Sequence, residues 1–174
     1  MFKERNVWIL KAIFQRASVR SFQAKPVEEE KMERMLRAAM AAPSAGNQQP
    51  WEFYVVSDPA LLAQLAQCSP YAGCVKNAPV AIIACYDTVQ LQFPECVLMD
   101  MSAATENILL EAAGLGVGTV WLGIAPLQER MTAVRRVLSL PEGQEAFAII
   151  PCGYPTRTIT RQDRYRPERV HRIG

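Results

Sequence analysis

The residues best suited to chemistry lie in Pro43-Ser44-Ala45-Gly46-Asn47-Gln48-Gln49-Pro50-Trp51. Two prolines bracket one hydroxyl and three carboxamides. Each proline stiffens the chain and removes a backbone donor. A carboxamide donates and accepts at once, so this stretch is suited to reading a flat heterocycle edge with alternating N–H and C=O groups. The same composition also describes a polar surface loop that ends on a core tryptophan.

A second candidate is Arg16-x-Ser18-x-Arg20. In a helical or near-helical turn, residues four apart share a face. Two guanidiniums and a hydroxyl would bind phosphate there. Two solvated arginines would have the same sequence. Trp121-Leu122-Gly123 closes an apolar run, and its glycine permits close approach of a ligand or a plain turn. Gly114-x-Gly116-x-Gly118 follows a helix and opens a strand. This is the reverse of a dinucleotide fingerprint, so it is read as a helix cap and tight turn.

Other chemistries find little support. Asp87, Glu95, Asp100, Glu106 and Glu111 are scattered, with no histidine beside them, so no metal site is expected. The only histidine, His171, lies three residues from the end, which argues against a catalytic triad. Cys68, Cys74, Cys85, Cys96 and Cys152 are odd in number and contain no C-x-x-C pair, which disfavours zinc or iron–sulfur frameworks. Cys85 and Cys152 fall in apolar runs and read as buried thiols. Cys68 and Cys74 flank a turn, where a redox role is open. A net charge of +2 gives no reason to expect nucleic acid or an anionic membrane. No apolar run reaches the roughly 20 residues of a membrane span. The first 16 residues read as a helix, not a signal peptide, so a cytoplasmic protein is expected.

The elements that must position these residues follow from periodicity. Val7, Trp8, Leu10, Ile13 and Phe14 give a helix over 4–16. Val27 to Ala42 is a second helix, with Glu28, Glu29 and Glu30 at its positive end and a stripe of Met32, Met35, Leu36 and Ala39. Trp51–Val56 is a strand. Asp58-Pro59 opens a helix to Cys68. Pro79–Tyr86, apolar throughout, is a central strand. Glu95–Leu115 is a helix with few charges on any face, expected to be buried nearly all round and to form a subunit interface. Val117–Ile124 is a strand, Pro126–Leu138 a helix, and Glu145–Cys152 a strand. The tail, 156–174, carries six arginines and little apolar material, and is either loose or wrapped over a partner. The whole chain, 1–174, reads as one domain. Its element order gives an α+β sandwich with a central sheet.

In order and spacing, four segments resemble the nitroreductase family of flavin enzymes over almost the whole chain. They are Arg16-Ala17-Ser18-Val19-Arg20-Ser21-Phe22, Pro43-Ser44 through Asn47-x-Gln49-Pro50-Trp51, the Gly116–Gly123 strand with Trp121-Leu122-Gly123, and Cys152-Gly153-Tyr154-Pro155. The chain looks like a short-form member. The resemblance implies a three-layer α/β/α sandwich with a mostly antiparallel sheet flanked by helices. It also implies a domain-swapped type of homodimer with two FMN molecules at the interface, and a tail that wraps the partner. By the same resemblance, Arg16, Ala17, Ser18 and Arg20 bind phosphate and ribityl. Arg164 reaches the phosphate. Asn47 and Gln49 meet the ribityl chain and ring edge, Pro43 and Ser44 pack on the flavin from the other subunit, and the Leu122-Gly123 backbone lies near the flavin N5. The loop 71–77 departs from the family pattern, which places charged or amide groups by the flavin; Lys76 or Asn77 could serve there.

The implied reaction is two-electron reduction of a nitroaromatic, a quinone or a related small acceptor by NADH or NADPH, through FMN. It needs no protein acid or base, so no catalytic side chain is expected. Reductive dehalogenation, flavin fragmentation and flavin binding with little turnover remain alternatives on the same scaffold.

Overall fold

A computed structural model describes residues 12–160 and 163–174. Most of the helix expected over 4–16, with Val7, Trp8 and Leu10, lies outside those residues; 12–15 are helical.

The helices are α1 (Glu29–Met40), α2 (Pro59–Leu65), α3 (Val97–Gly114) and α4 (Gln128–Leu138). The strands are β1 (Trp51–Val56), β2 (Val80–Asp87), β3 (Gly118–Thr119), β4 (Leu122–Gly123) and β5 (Gln144–Gly153). The sheet runs β1-β2-β5-β3, with β4 also on β5, and every strand pair is antiparallel. β2 and β5 lie at the centre. Val80 to Tyr86 are buried without alternation, because helices cover both faces of a central strand and leave no polar side. Ile82, Ile83, Ile149 and Ile150 form the middle of the core.

α1 packs on α3 through the predicted stripe: Met32, Met35 and Ala39 are buried and Leu36 is partly so. Its start is tied to the end of β5. The Tyr154 hydroxyl donates to Glu28 and accepts from Lys31, and Lys25 lies over the Tyr154 ring. Tyr154 is thereby held where the tail begins.

The strand expected over 117–124 is broken into β3 and β4. In register, Thr119 faces Cys152 and Leu122 faces Ile149. The gap at Val120–Trp121 therefore lies opposite Ile150–Pro151. Proline has no N–H to give to a ladder, so pairing lapses there.

The glycine-rich turn ends α3 as expected. Gly116 has φ +72°, Val117 N–H donates to Ala112 O at 2.8 Å, and Gly116 N–H to Ala113 O at 3.2 Å. These are the two bonds of a Schellman cap. α3 itself is buried on one broad face, Val97 to Ala112, and not all round: Met99 is 63% exposed and Glu106, Asn107 and Leu110 are half-buried. Among the described residues no helix is long and apolar enough to cross a membrane.

Candidate active site

Residues 16–20 leave the 12–15 helix and run extended. Ser18 bridges Thr119 of β3, and Val19 N–H donates to Thr119 O at 2.9 Å. A side chain on Gly118 would meet Val19 at 2.8 Å, so glycine there lets the segment lie flat on the sheet. The helical turn imagined for Arg16–Arg20 is thus corrected to an extended strip, because a sheet edge supplies its hydrogen bonds. Period two still puts Arg16, Ser18 and Arg20 on one side, but spreads them along it. Arg16 turns to α3 and pairs with Glu106, 3.4 Å away. Burial raises the Glu106 carboxyl, and the arginine opposes this. Arg20 is exposed, acts electrostatically on Cys74, and makes no ion pair with the described residues.

The tail folds onto the same strip. Thr156 N–H donates to Ser21 O at 3.2 Å, its hydroxyl bonds that of Ser21 at 2.9 Å, and Gln23 holds the Pro155 carbonyl at 2.8 Å. Between them lies a cavity of about 290 Å³ lined by residues 17–21 and 155–160. Ala17, Ser18 and Arg20 line it; Arg16 does not. Arg157, Thr158 and Thr160 also line it. They read only as part of a basic tail in the sequence, because they share a lining with Ser18 and Arg20 only after β5 turns back. Two guanidiniums with several hydroxyls suit a phosphate. Arg164 lines a separate hollow with Asp163, Tyr165, Arg166 and Arg169.

The loop after α1 carries strain. Gly46, Asn47 and Gln49 have φ of +54°, +57° and +47°. Such backbone persists only where surroundings over-determine it. Here the determinant is Asp100 on α3, 5% exposed, which accepts from Ala45 N–H at 2.9 Å and Gln48 Nε2 at 2.7 Å. Gln48 also accepts from Phe93 N–H at 2.9 Å and donates to Phe93 O at 3.1 Å. Ser44 Oγ accepts from Gln49 N–H at 3.0 Å, and Gln49 Nε2 donates to Asn47 Oδ1 at 3.1 Å. Asn47 and Gln49 are exposed, as is Pro43; Ser44 is half-buried. The three carboxamides thus divide into two that face outward and one, Gln48, that anchors. Sequence reading missed Gln48 and Asp100 because their pairing spans 52 residues. Pro43 to Gln49 stand apart from the Arg20 cavity within one chain; none of them lines it.

Leu122 is buried and Gly123 is exposed. A side chain on Gly123 would meet nothing within 4 Å, so its backbone is open to a ligand. Arg130 Nη1 donates to the Gly123 carbonyl at 3.0 Å, and its guanidinium lies 5.5 Å from the centre of the Tyr71 ring. The loop carrying Tyr71 ends in the turn Val75–Asn77, where Lys76 and Asn77 are exposed.

Four of the cysteines, Cys68, Cys74, Cys85 and Cys152, are not activated. Burial pushes the Cys85 and Cys152 thiols up to about 12. It also raises Cys68 and, against its own backbone hydrogen bond and Arg20, Cys74. Raised thiols are poor nucleophiles, which argues against the redox role left open for Cys68 and Cys74. Among the described residues no cluster could hold a metal.

The sequence profile of the nitroreductase family matches residues 13–70 and 70–154. The chain belongs to the nitroreductase family. It is 42% identical over 167 residues to an Archaeoglobus fulgidus protein provisionally named NADH dehydrogenase/NAD(P)H nitroreductase, covering 94% of this chain and 96% of that one. In structure it matches a Clostridium acetobutylicum protein provisionally named an NADH oxidase. The TM-score is 0.90 at 44% identity, with 92% of this chain and 97% of that one covered. It also matches a Desulfovibrio desulfuricans protein, provisionally named a nitroreductase and crystallised with FMN, at TM-score 0.82 and 29% identity, covering 95% and 96%. These nitroreductase-family structures share the antiparallel sheet with flanking helices.

Proposed function

We propose that this nitroreductase-family protein is an FMN-dependent NAD(P)H oxidoreductase that reduces nitroaromatics, quinones or a related small acceptor, working as a homodimer in the cytoplasm. The observation that carries the reading is the cavity between strip 17–21 and residues 155–160, whose donors fit a phosphate. Ser18, Arg20, Arg157 and the threonine hydroxyls would hold the phosphate and ribityl end. Gly123 leaves backbone open for the ring, and Asn47 and Gln49 present their carboxamides to its edge. Pro43 and Ser44 would serve the site of the second subunit. The half-buried side of α3 would become the subunit contact.

Bound FMN supplies the hydride acceptor and donor that no amino acid provides. The chain itself binds, orients and limits water, and the reaction requires no protein acid or base. For a nitro acceptor, Ar–NO2, NADH and a proton give Ar–NO, NAD+ and water. Protein purified and incubated with FMN should be yellow and monomer-free by light scattering. NADH or NADPH should bleach it anaerobically, and a nitroaromatic or quinone should restore the colour. Protein that stays colourless with excess FMN would overturn the reading.

A further inference from the structure

Tyr71 is a large aromatic side chain left 71% exposed, and Leu127, 48% exposed, stands at the start of α4. Over the Tyr71 ring sits Arg130, half-buried and fixed at two points, the Gly123 carbonyl and the ring face. Both contacts restrict the guanidinium before any ligand arrives. The Gly123 bond uses one of its five N–H donors. No carboxylate among the described residues pairs with the rest. The guanidinium therefore presents a fixed, uncompensated fork beside the open backbone of Gly123. A planar fork of this kind matches a carboxylate, and an exposed phenol ring matches another flat ring.

We propose that Tyr71 and Arg130 form an acceptor subsite that selects planar aromatic substrates bearing a carboxylate over their neutral counterparts. This rests on the oxidoreductase reading for the place of Gly123, and it names the substrate class. The aromatic ring packs on the exposed edge of Tyr71, beside the guanidinium, and the carboxylate accepts from Arg130. The redox step is unchanged: the nitro group of the acceptor is reduced to nitroso by NADH, with one proton taken up and water released.

The test compares 4-nitrobenzoate with 4-nitrobenzamide at saturating NADH, using FMN-loaded protein. The carboxylate should be favoured in kcat/KM by about tenfold or more, as expected for one charge-assisted hydrogen bond. Arg130→Gln should bring the ratio close to one, and Arg130→Lys should fall between, since an ammonium lacks the fork. Calorimetry with the unreactive pair benzoate and benzamide reads the same preference without turnover, and Arg130→Gln should abolish it. Equal kcat/KM for the two acceptors in the wild type, or a preference that survives Arg130→Gln, would overturn the subsite. Benzoate selectivity in a protein that NADH cannot bleach would sustain the Tyr71–Arg130 receptor and sink the oxidoreductase reading.

Discussion

Asp100→Asn should damage the protein more than its small size change suggests. Gln48 is locked in orientation: its Oε1 takes the Phe93 N–H and its Nε2 faces Phe93 O and Asp100 Oδ2. Turning the amide over would set donor against donor at Phe93. Asparagine at 100 can still accept from Ala45 N–H, but its own amide then faces Gln48 Nε2. One charge-assisted bond is lost and two donors oppose each other at a part-buried site, a cost of about 3 kcal/mol. With about 2.1 cal/mol/K of unfolding entropy per residue, a chain of 174 residues would lose roughly 8 °C in Tm. Asn47 and Gln49 would also relax from positive φ, so FMN affinity should fall. Gln48→Glu alone sets carboxylate against carboxylate and should also destabilise. The double variant Gln48→Glu/Asp100→Asn re-pairs acceptor with donor at position 100, though Phe93 O loses its donor, and should be more stable than Gln48→Glu. Thermal unfolding by circular dichroism of the four proteins, with and without FMN, checks this. An Asp100→Asn Tm within about 2 °C of wild type, or a double variant no better than Gln48→Glu, would refute the anchoring of the loop by this pair.

Arg20→Ala should weaken FMN binding roughly 10- to 100-fold through loss of one charge-assisted contact, with Tm of the apo protein little changed; fluorescence titration with FMN measures it. Gly116→Ala should cost about 1 kcal/mol by forcing a side chain into φ +72° and leave FMN affinity alone, whereas Gly118→Ala drives Val19 outward and should reduce both Tm and FMN affinity. The Glu28 carboxyl is held at about 2 by the Tyr154 hydroxyl first, then by its own backbone hydrogen bond and Lys31, against burial. A depressed folded pKa stabilises above the ordinary glutamate value near 4.5, and that stability fades as pH falls toward 2. Tyr154→Phe should therefore raise the Glu28 pKa, read by carboxyl NMR, and flatten the acid limb of stability in that window. An unchanged Glu28 titration would exclude Tyr154 as the cause.

Elements whose causes are local were legible in the residue order alone. Met32, Met35 and Ala39 mark the buried stripe of α1, the unbroken apolar run marks β2 as central, and Gly116 marks the Schellman turn. Each rests on the 3.6- or 2-residue period, or on one residue's backbone freedom, and so needs no distant partner. The ordered segments also pointed to the nitroreductase family. Tertiary structure decided what depends on pairs far apart in the chain. Pro151 breaks the 117–124 strand only because β5 lies beside it. Gln48 turns inward, and Asn47 and Gln49 outward, only because Asp100 lies on the next helix. Arg16 and Arg20 part company because one meets Glu106 and the other lies by Cys74. Ser18 and Thr158 share a cavity only once the tail returns across the sheet. Such meetings follow from loop closure and core packing, which no local pattern encodes.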